Sequence, residues 1–141
     1  MITIPSLLII CLLTCTGNIE TCDSEIDTTT SLVHFTKKRG LKLFHQNVRG
    51  ILSNFIHIEH LLDQCKNIDI LSLSETHIKT YYNNDNLYKI QGYQFIQRSR
   101  DKGNGGGVTF YLKENLKWER RLDLETKTCK NIWIEINIKK A

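Results

Sequence analysis

The feature that most constrains the fold of this chain is a pair of short apolar runs 28 residues apart, at 43–50 and 71–78, each ending in polar side chains. Apolar residues at helical spacing lie between them, so the pattern predicts a strand, a helix and a second strand. In a unit of this length the two strands run parallel and are joined by a right-handed crossover. The unit would deliver Asn47 and Glu75 to one edge of an open α/β sheet, where small metal sites are built.

The pattern assigns the first strand to residues 41–46, the helix to about 53–66 and the second strand to 70–74. The predicted apolar face of the helix consists of Leu52, Phe55, Ile58, Leu62 and Cys65. Spacings of three and four residues place such side chains on one side of a helix. Cys65 is therefore predicted to be a core residue rather than a reactive thiol.

The second half of the chain reads as a hairpin followed by a strand at the end. Strands are predicted at 93–97 and 108–112, after a polar loop at 81–86, and a connection with glycines at 103 and 105–107 joins them. That connection carries Arg98, Arg100 and Lys102. Isoleucines at 132, 134, 136 and 138 alternate with Trp133, Glu135 and Asn137, which predicts a half-buried strand.

The first 35 residues differ from the rest of the chain. Residues 2–13 are almost wholly apolar and precede a small-residue stretch ending at Gly17, so a secretory leader is one interpretation. No Lys or Arg precedes the apolar run, and the alternative is a stray upstream segment followed by a polar linker. A dozen apolar residues is too short for a membrane span, which takes about 20. Removal of a leader would leave Cys22, Cys65 and Cys129, an odd number that fixes neither a disulfide framework nor a zinc site.

Length and charge set the outer bounds. With 141 residues and 40% hydrophobic composition the chain has enough material for one domain, which we assign to residues 36–141. That part carries 19 basic and 11 acidic side chains, a net of +8, against −4 for residues 1–35. Such a surface suits a polyanion such as nucleic acid, and it is equally explained as a solvated surface.

Four motifs, in this order, resemble the endonuclease/exonuclease/phosphatase superfamily. They are Asn47 after the first strand, Ser74-Glu75-Thr76-His77 after the second, Gly92-Tyr93 with Arg98, and Gly105-Gly106-Gly107-Val108. The likeness covers about residues 40–141 and is greatest to the apurinic-type endonuclease domain of non-LTR retrotransposons, including LINE-like and jockey-like elements. It implies an α/β fold of the DNase I-like type, a four-layer αββα sandwich, of which this chain holds about the first half.

The resemblance also implies roles for individual residues. Glu75 would bind Mg²⁺ or Mn²⁺, and Asn47 would help to hold the metal or the scissile phosphate, so both are candidate catalytic residues. Arg98, Arg100 and His77 would contact the substrate, which by resemblance is DNA. Taken alone, Asn47 is more often a turn residue and Glu75 an exposed strand-end charge, but the ordered motifs favour the functional interpretation. Three further histidines, His45, His57 and His60, are predicted to be packing or surface residues. The glycine run by itself is a flexible turn without the context of a nucleotide-binding loop.

The sequence departs from the family after Leu112. Complete members supply a Gly-Asp-x-Asn segment and a late Asp-His pair that activates water, and neither occurs here, where the last histidine is His77. We therefore expect a truncated, catalytically incomplete domain of weak stability, whose isoleucine row is exposed or only partly covered. A missing carboxy-terminal half or a downstream reverse transcriptase would be its partner.

Other functions remain open at this stage. They are a non-catalytic nucleic-acid-binding remnant, a small secreted protein and, less favoured, a phosphatase. The protein would be nuclear or cytoplasmic if derived from a retrotransposon, and secreted if the leader is real.

Overall fold

The computed structural model describes residues 6–13, 37, 39–79, 85–99 and 105–138, and for 6–13, Asp85 and Ile138 it describes the backbone alone. Predictions concerning the cleavage site near Gly17, most of the polar loop at 81–86, and Arg100 and Lys102 lie outside the described residues. Within these ranges no helix combines the length and the apolar character needed to cross a membrane.

The described residues form a mixed α/β structure with two sheets and one α-helix. Its elements are β1 (Ser6–Leu13), β2 (Leu43–Asn47), α1 (Ile51–Gln64), β3 (Ile70–Ser74), β4 (Tyr93–Arg98), β5 (Val108–Lys113), β6 (Trp118–Arg120) and β7 (Asn131–Ile138). Short 3-10 turns lie at Asp85–Tyr88 and Leu122–Leu124.

The first sheet has the strand order β2-β3-β5-β4. Strands β2 and β3 are parallel and α1 connects them, which confirms the predicted strand-helix-strand unit. Strands β4 and β5 pair antiparallel from Tyr93 opposite Lys113 to Arg98 opposite Val108, which confirms the hairpin. The strand β2 begins two residues later than predicted and includes Asn47, because its ladder with β3 runs from Leu43 to Asn47.

Helix α1 begins at Ile51, two residues before the predicted start, because the loop after β3 fixes its first turn. The amides of Gly50 and Ile51 donate hydrogen bonds to the carbonyls of Glu75 and Thr76 at 2.7 and 2.9 Å. This start changes the buried face, since Ile51 is buried and Leu52 is 70% exposed. The prediction that Leu52 belongs to the apolar face is therefore wrong.

The apolar face of α1 runs through positions 51, 55, 58, 62 and 65 at alternating spacings of four and three. It packs on the side of the first sheet formed by Leu71, Leu73 and Tyr111. Cys65 is buried in this cluster, as predicted, and burial raises the pKa of its thiol.

The second sheet has the order β1-β7-β6, and all of its pairs are antiparallel. It packs against the other side of the first sheet through the isoleucine row of β7. Ile132, Ile134 and Ile136 are at most 1% exposed and share a core cluster with Ile70 and Phe110. The expectation of an exposed or partly covered row is therefore wrong, because the first sheet itself covers these side chains. The described residues thus form three layers: a helix and two sheets.

Candidate functional site

Three loops meet at one end of the first sheet: the loop after β2, the loop after β3 and the glycine-rich turn before β5. Backbone hydrogen bonds connect them. Val48 N–H donates to the carbonyl of Ser74 at 3.0 Å, which joins the loops after β2 and β3. The amide of His77 donates to the carbonyl of Gly106 at 2.8 Å, which joins the loop after β3 to the glycine-rich turn. The parallel pairing of Asn47 with Ser74 puts Asn47 and Glu75 at the same sheet edge.

The backbone is strained at this edge. Among the described residues, the non-glycine residues with positive φ are Arg49 at 45°, Glu75 at 53° and His77 at 55°. Each occupies the left-handed backbone region that residues other than glycine rarely adopt, at a cost of about 1–2 kcal/mol. Strain of this kind persists only where the surrounding structure enforces it, and it concentrates at functional sites. All three residues lie in the loops that follow β2 and β3.

The carboxylate of Glu75 contacts the glycine-rich turn and the loop after β3. Its Oε2 accepts a hydrogen bond from the Gly106 amide at 2.8 Å and lies 3.1 Å from Nε2 of His77. The Glu75 side chain is 25% exposed and that of His77 is 40% exposed. The pair is therefore open to solvent on one side and backed by protein on the other.

The glycine-rich turn packs against the loop after β3, and at Gly107 no space is left for a side chain. A Cβ atom at Gly107, where φ is +92°, would lie 2.6 Å from Oγ1 of Thr76. One at Gly105 would lie 3.5 Å from both Oε2 of Glu75 and Nε2 of His77. The turn is therefore a packed component of the site and not only a flexible connection.

Asn47 lies at the exposed end of β2, and its side chain forms a local turn. Its Oδ1 accepts a 3.2 Å hydrogen bond from the amide of Arg49, two residues later. This is the turn role that Asn47 would have without any ligand. Its position beside Glu75 is also compatible with the metal or phosphate contact implied by the resemblance, which stays a prediction.

A row of polar side chains, whose contacts with one another were not predicted from the sequence, lies beside Asn47. Nδ1 of His45 is 2.9 Å from Oγ of Ser72, and Nε2 is 3.5 Å from Oγ of Ser74. Ser72 in turn donates to the carbonyl of Phe44, so His45 is the donor to Ser72. Desolvation lowers the pKa of His45, although a hydrogen bond with the backbone of Ser72 opposes this shift. The period-two spacing of residues 45 and 47, and of 72 and 74, is the sequence signal for this shared face.

The guanidinium of Arg98 donates hydrogen bonds to three residues within the protein. Nη1 donates to Oε2 of Glu125 at 3.1 Å and to the carbonyl of Asn131 at 2.9 Å, while Nη2 donates to the carbonyl of Thr126 at 2.7 Å. The side chain of Arg98 is 18% exposed and that of Glu125 is 7% exposed. Arg98 therefore ties the first sheet to the segment before β7, and its predicted contact with DNA stays a prediction. Arg100 lies outside the described residues.

The donor chemistry at the sheet edge fits a hard divalent cation. Glu75 and Asn47 offer carboxylate and carboxamide oxygens, and Mg²⁺ binds through one or two carboxylates while it keeps several waters. Within the described ranges no group of three His, Cys, Asp or Glu side chains could enclose a metal.

A cleft of about 730 Å³ lies away from this edge, at the other end of the first sheet. It is lined by residues including Ile56, Glu59, His60, Asp63, Gly92 and Lys113. None of the predicted site residues lines it, and we assign it no role.

Comparisons with known proteins give one distant structural likeness. The structure is similar to the AP endonuclease LMAP from Leishmania major with a TM-score of 0.48 and 20% sequence identity. The likeness covers 62% of this chain and 30% of the endonuclease chain. The sequence matches no protein-family model and no curated protein.

Proposed function

We propose that this chain is the amino-terminal portion of a metal-dependent phosphodiester-cleaving endonuclease domain of the DNase I-like, αββα type. The observation that supports this most directly is the delivery of Asn47 and Glu75 to one sheet edge by parallel strands, with Glu75 held by the glycine-rich turn. The order of the four sequence motifs, which resembles that of retrotransposon endonucleases, supports the same proposal. The fourth layer of the sandwich would come from residues beyond those described.

Each site residue has a physical role in this proposal. Glu75 holds Mg²⁺ or Mn²⁺ through its carboxylate, and Asn47 contributes its carboxamide to the ion or to the phosphate. A bound divalent ion polarises the phosphate and stabilises the leaving oxygen. The basic residues of the connection before β5, among them Arg100, attract the DNA backbone.

Under this proposal we also expect the chain to show little or no phosphodiester cleavage. The sequence contains neither the Gly-Asp-x-Asn segment nor the Asp-His pair that the resemblance implies for water activation. Loss of a general base commonly removes 10²–10⁴-fold in rate. We therefore expect metal binding that depends on Glu75, together with little or no nicking of supercoiled plasmid.

The test is a Mn²⁺ titration of the full chain, with free Mn²⁺ followed by electron paramagnetic resonance. Glu75→Gln keeps an acceptor for the Gly106 amide and removes the negative charge, so Mn²⁺ affinity should fall at least about 10-fold. Glu119→Gln, a matched change at an exposed glutamate of β6, should leave it unchanged. Equal affinity in the wild type and Glu75→Gln would overturn the proposal. Plasmid nicking that disappears in Glu75→Gln would support the metal site and overturn the expectation of an inactive portion.

A second candidate function rests on charge. Residues 36–141 carry a net of +8, which favours contact with the phosphates of DNA without requiring catalysis. Fluorescence polarisation with a labelled duplex tests this alternative. Binding that falls steeply with salt, and is indifferent to Mg²⁺ and to Glu75→Gln, would favour a nucleic-acid-binding remnant.

A further inference from the structure

The imidazole of His77 turns back towards the carboxylate of Glu75. Both residues have φ near +55°, and Thr76 between them is buried, so the side chains at 75 and 77 lie on the same side of the loop. This geometry places Nε2 of His77 3.1 Å from Oε2 of Glu75. This contact joins His77 to the candidate metal ligand, and the substrate contact that the resemblance implies for His77 stays a prediction.

The ring of His77 lies near two glycines, Gly50 and Gly105, neither of which has a side chain to contact it. A Cβ at Gly50 would lie 3.8 Å from Nδ1, and a Cβ at Gly105 would lie 3.5 Å from Nε2. Gly50 precedes the first turn of α1, and Gly105 belongs to the glycine-rich turn. Glycine positions from two separate loops therefore flank the ring, and a side chain at either would contact it.

Two donors thus converge on one oxygen of Glu75: the amide of Gly106 and the imidazole of His77. A glutamate side chain loses rotamer freedom when it binds an ion, and that loss opposes binding. Donors that hold the carboxylate beforehand reduce this loss, and ligand-holding partners of this kind commonly change metal affinity 10–100-fold.

We infer that His77 is a positioning residue, which together with the Gly106 amide fixes the Glu75 carboxylate for a hard divalent cation; this inference rests on the proposed function. His77 is not itself the metal ligand in this inference, because Mg²⁺ prefers oxygen donors and Nε2 is directed at Oε2. The role requires a proton on Nε2, so that the imidazole donates to the carboxylate.

Two substitutions separate positioning from backbone strain. His77→Gln can place an amide N–H near the position of Nε2, but glutamine is poorly suited to a φ of +55°. His77→Asn tolerates that φ, but its amide is too short to reach Oε2. If His77 positions Glu75, His77→Gln should retain more Mn²⁺ affinity than His77→Asn. If backbone strain dominates instead, His77→Asn should retain more.

The experiment measures Mn²⁺ affinity of the full chain by electron paramagnetic resonance. We expect His77→Asn to weaken binding about 10-fold and His77→Gln to stay within about 3-fold of the wild type. His57→Gln, at an exposed helix position, is the matched control and should change nothing. In the wild type, ¹⁵N signals of the His77 imidazole should identify Nε2 as protonated, which is a readout that needs no variant.

The outcomes distinguish this inference from the proposed function. If Glu75→Gln binds Mn²⁺ as tightly as the wild type does, the proposed function is overturned. Binding that depends on Glu75 but is unchanged in His77→Asn, or is weaker in Gln than in Asn, overturns the positioning role alone. An unprotonated Nε2 in the wild type overturns it as well.

Discussion

The amide of Gly106 donates a 2.8 Å hydrogen bond to Oε2 of Glu75, although the two residues are 31 positions apart. The turn before β5 and the loop after β3 therefore form one unit. Thr76 and His77 complete it by donating backbone hydrogen bonds to Gly107 and Gly106. Changes in the glycine-rich turn should consequently affect both stability and the candidate metal ligand.

The first prediction concerns Gly107→Ala. The new methyl group would lie 2.6 Å from Oγ1 of Thr76, and alanine would have to adopt a φ of +92°. Overpacking and the unfavourable backbone conformation together should lower the free energy of unfolding by about 2–4 kcal/mol. Urea unfolding followed by circular dichroism measures this change.

Gly92 provides a matched control for that prediction. Its φ is +85°, and nothing lies within 4 Å of a Cβ built there, so Gly92→Ala should cost only the backbone part, about 1–2 kcal/mol. In the double variant Thr76→Ala/Gly107→Ala the steric part should be relieved, and a double-mutant cycle would report the coupling. Equal losses in Gly92→Ala and Gly107→Ala would contradict the close contact with Thr76.

The second prediction concerns Arg98. Its guanidinium binds Glu125, Asn131 and Thr126, and Glu125 is largely buried. Arg98→Met should lower the free energy of unfolding by about 1–3 kcal/mol, because Glu125 loses one charged partner and keeps Arg120. Arg98→Lys should recover only part of this loss, since an ammonium group lacks the fork that serves several acceptors.

Lys66→Met is the comparison for Arg98→Met. Lys66 and Asp63 are 3.6 Å apart, and their side chains are 78% and 71% exposed, so its effect should stay within about 0.5 kcal/mol. Unchanged stability in Arg98→Met together with weaker DNA binding would favour the predicted DNA contact over the structural role.

Much of the first sheet was predictable because its signals are local. The apolar runs, the helical spacing and the hairpin glycines predicted β2 to β5 and α1 to within two residues at their starts. The placement of Asn47 and Glu75 at one edge followed from the parallel pairing of their strands.

The features that could not be predicted from the sequence depend on contacts between residues that are far apart along the chain. The partners of Arg98 lie 27 and 33 positions away, at Glu125 and Asn131, and no local pattern identifies them. The start of α1 depends on carbonyls of the loop after β3, which the helical spacing alone cannot report. Strand β6 has three residues, too few for a periodic signal.

The third prediction concerns alkaline pH. Desolvation, with smaller contributions from Asp69 and Cys65, raises the pKa of Tyr93 from 10.0 to about 12. The unfolded chain therefore releases this proton more readily, so the contribution of Tyr93 to stability is complete below pH 10 and is lost as pH rises from 10 to 12. Urea unfolding between pH 8 and 11 should show this decline.

Tyr93→Phe tests the assignment of that decline. The phenol donates a 2.7 Å hydrogen bond to the carbonyl of Ile68, so the variant should lose about 1 kcal/mol at pH 8. Its stability should fall less steeply above pH 10 than that of the wild type. Identical slopes would mean that other groups cause the alkaline loss; Tyr111, whose pKa is also raised by burial, is the first of these to test.

The last prediction concerns strand β1, which lies in the apolar segment that also resembles a secretory leader. Residues Ser6–Leu13 pair with Asn131–Ile138 along the whole length of β7, whereas β6 pairs with only three residues of β7. Removal of residues 1–17 would leave this edge of β7 unpaired, and unpaired edges promote association between chains. We expect a lower urea midpoint and concentration-dependent association in analytical ultracentrifugation.

Removal of residues 1–5, which precede β1, is the matched control and should preserve both properties. A chain from a secreting cell that is cleaved near Gly17, yet remains monomeric with an unchanged midpoint, would contradict a structural role for β1. Cleavage and strand pairing exclude each other within one molecule, because the same eight residues serve as apolar core of the leader or as partner of β7. Mass spectrometry of the amino terminus, combined with the two truncations, therefore decides which of the two roles this segment has.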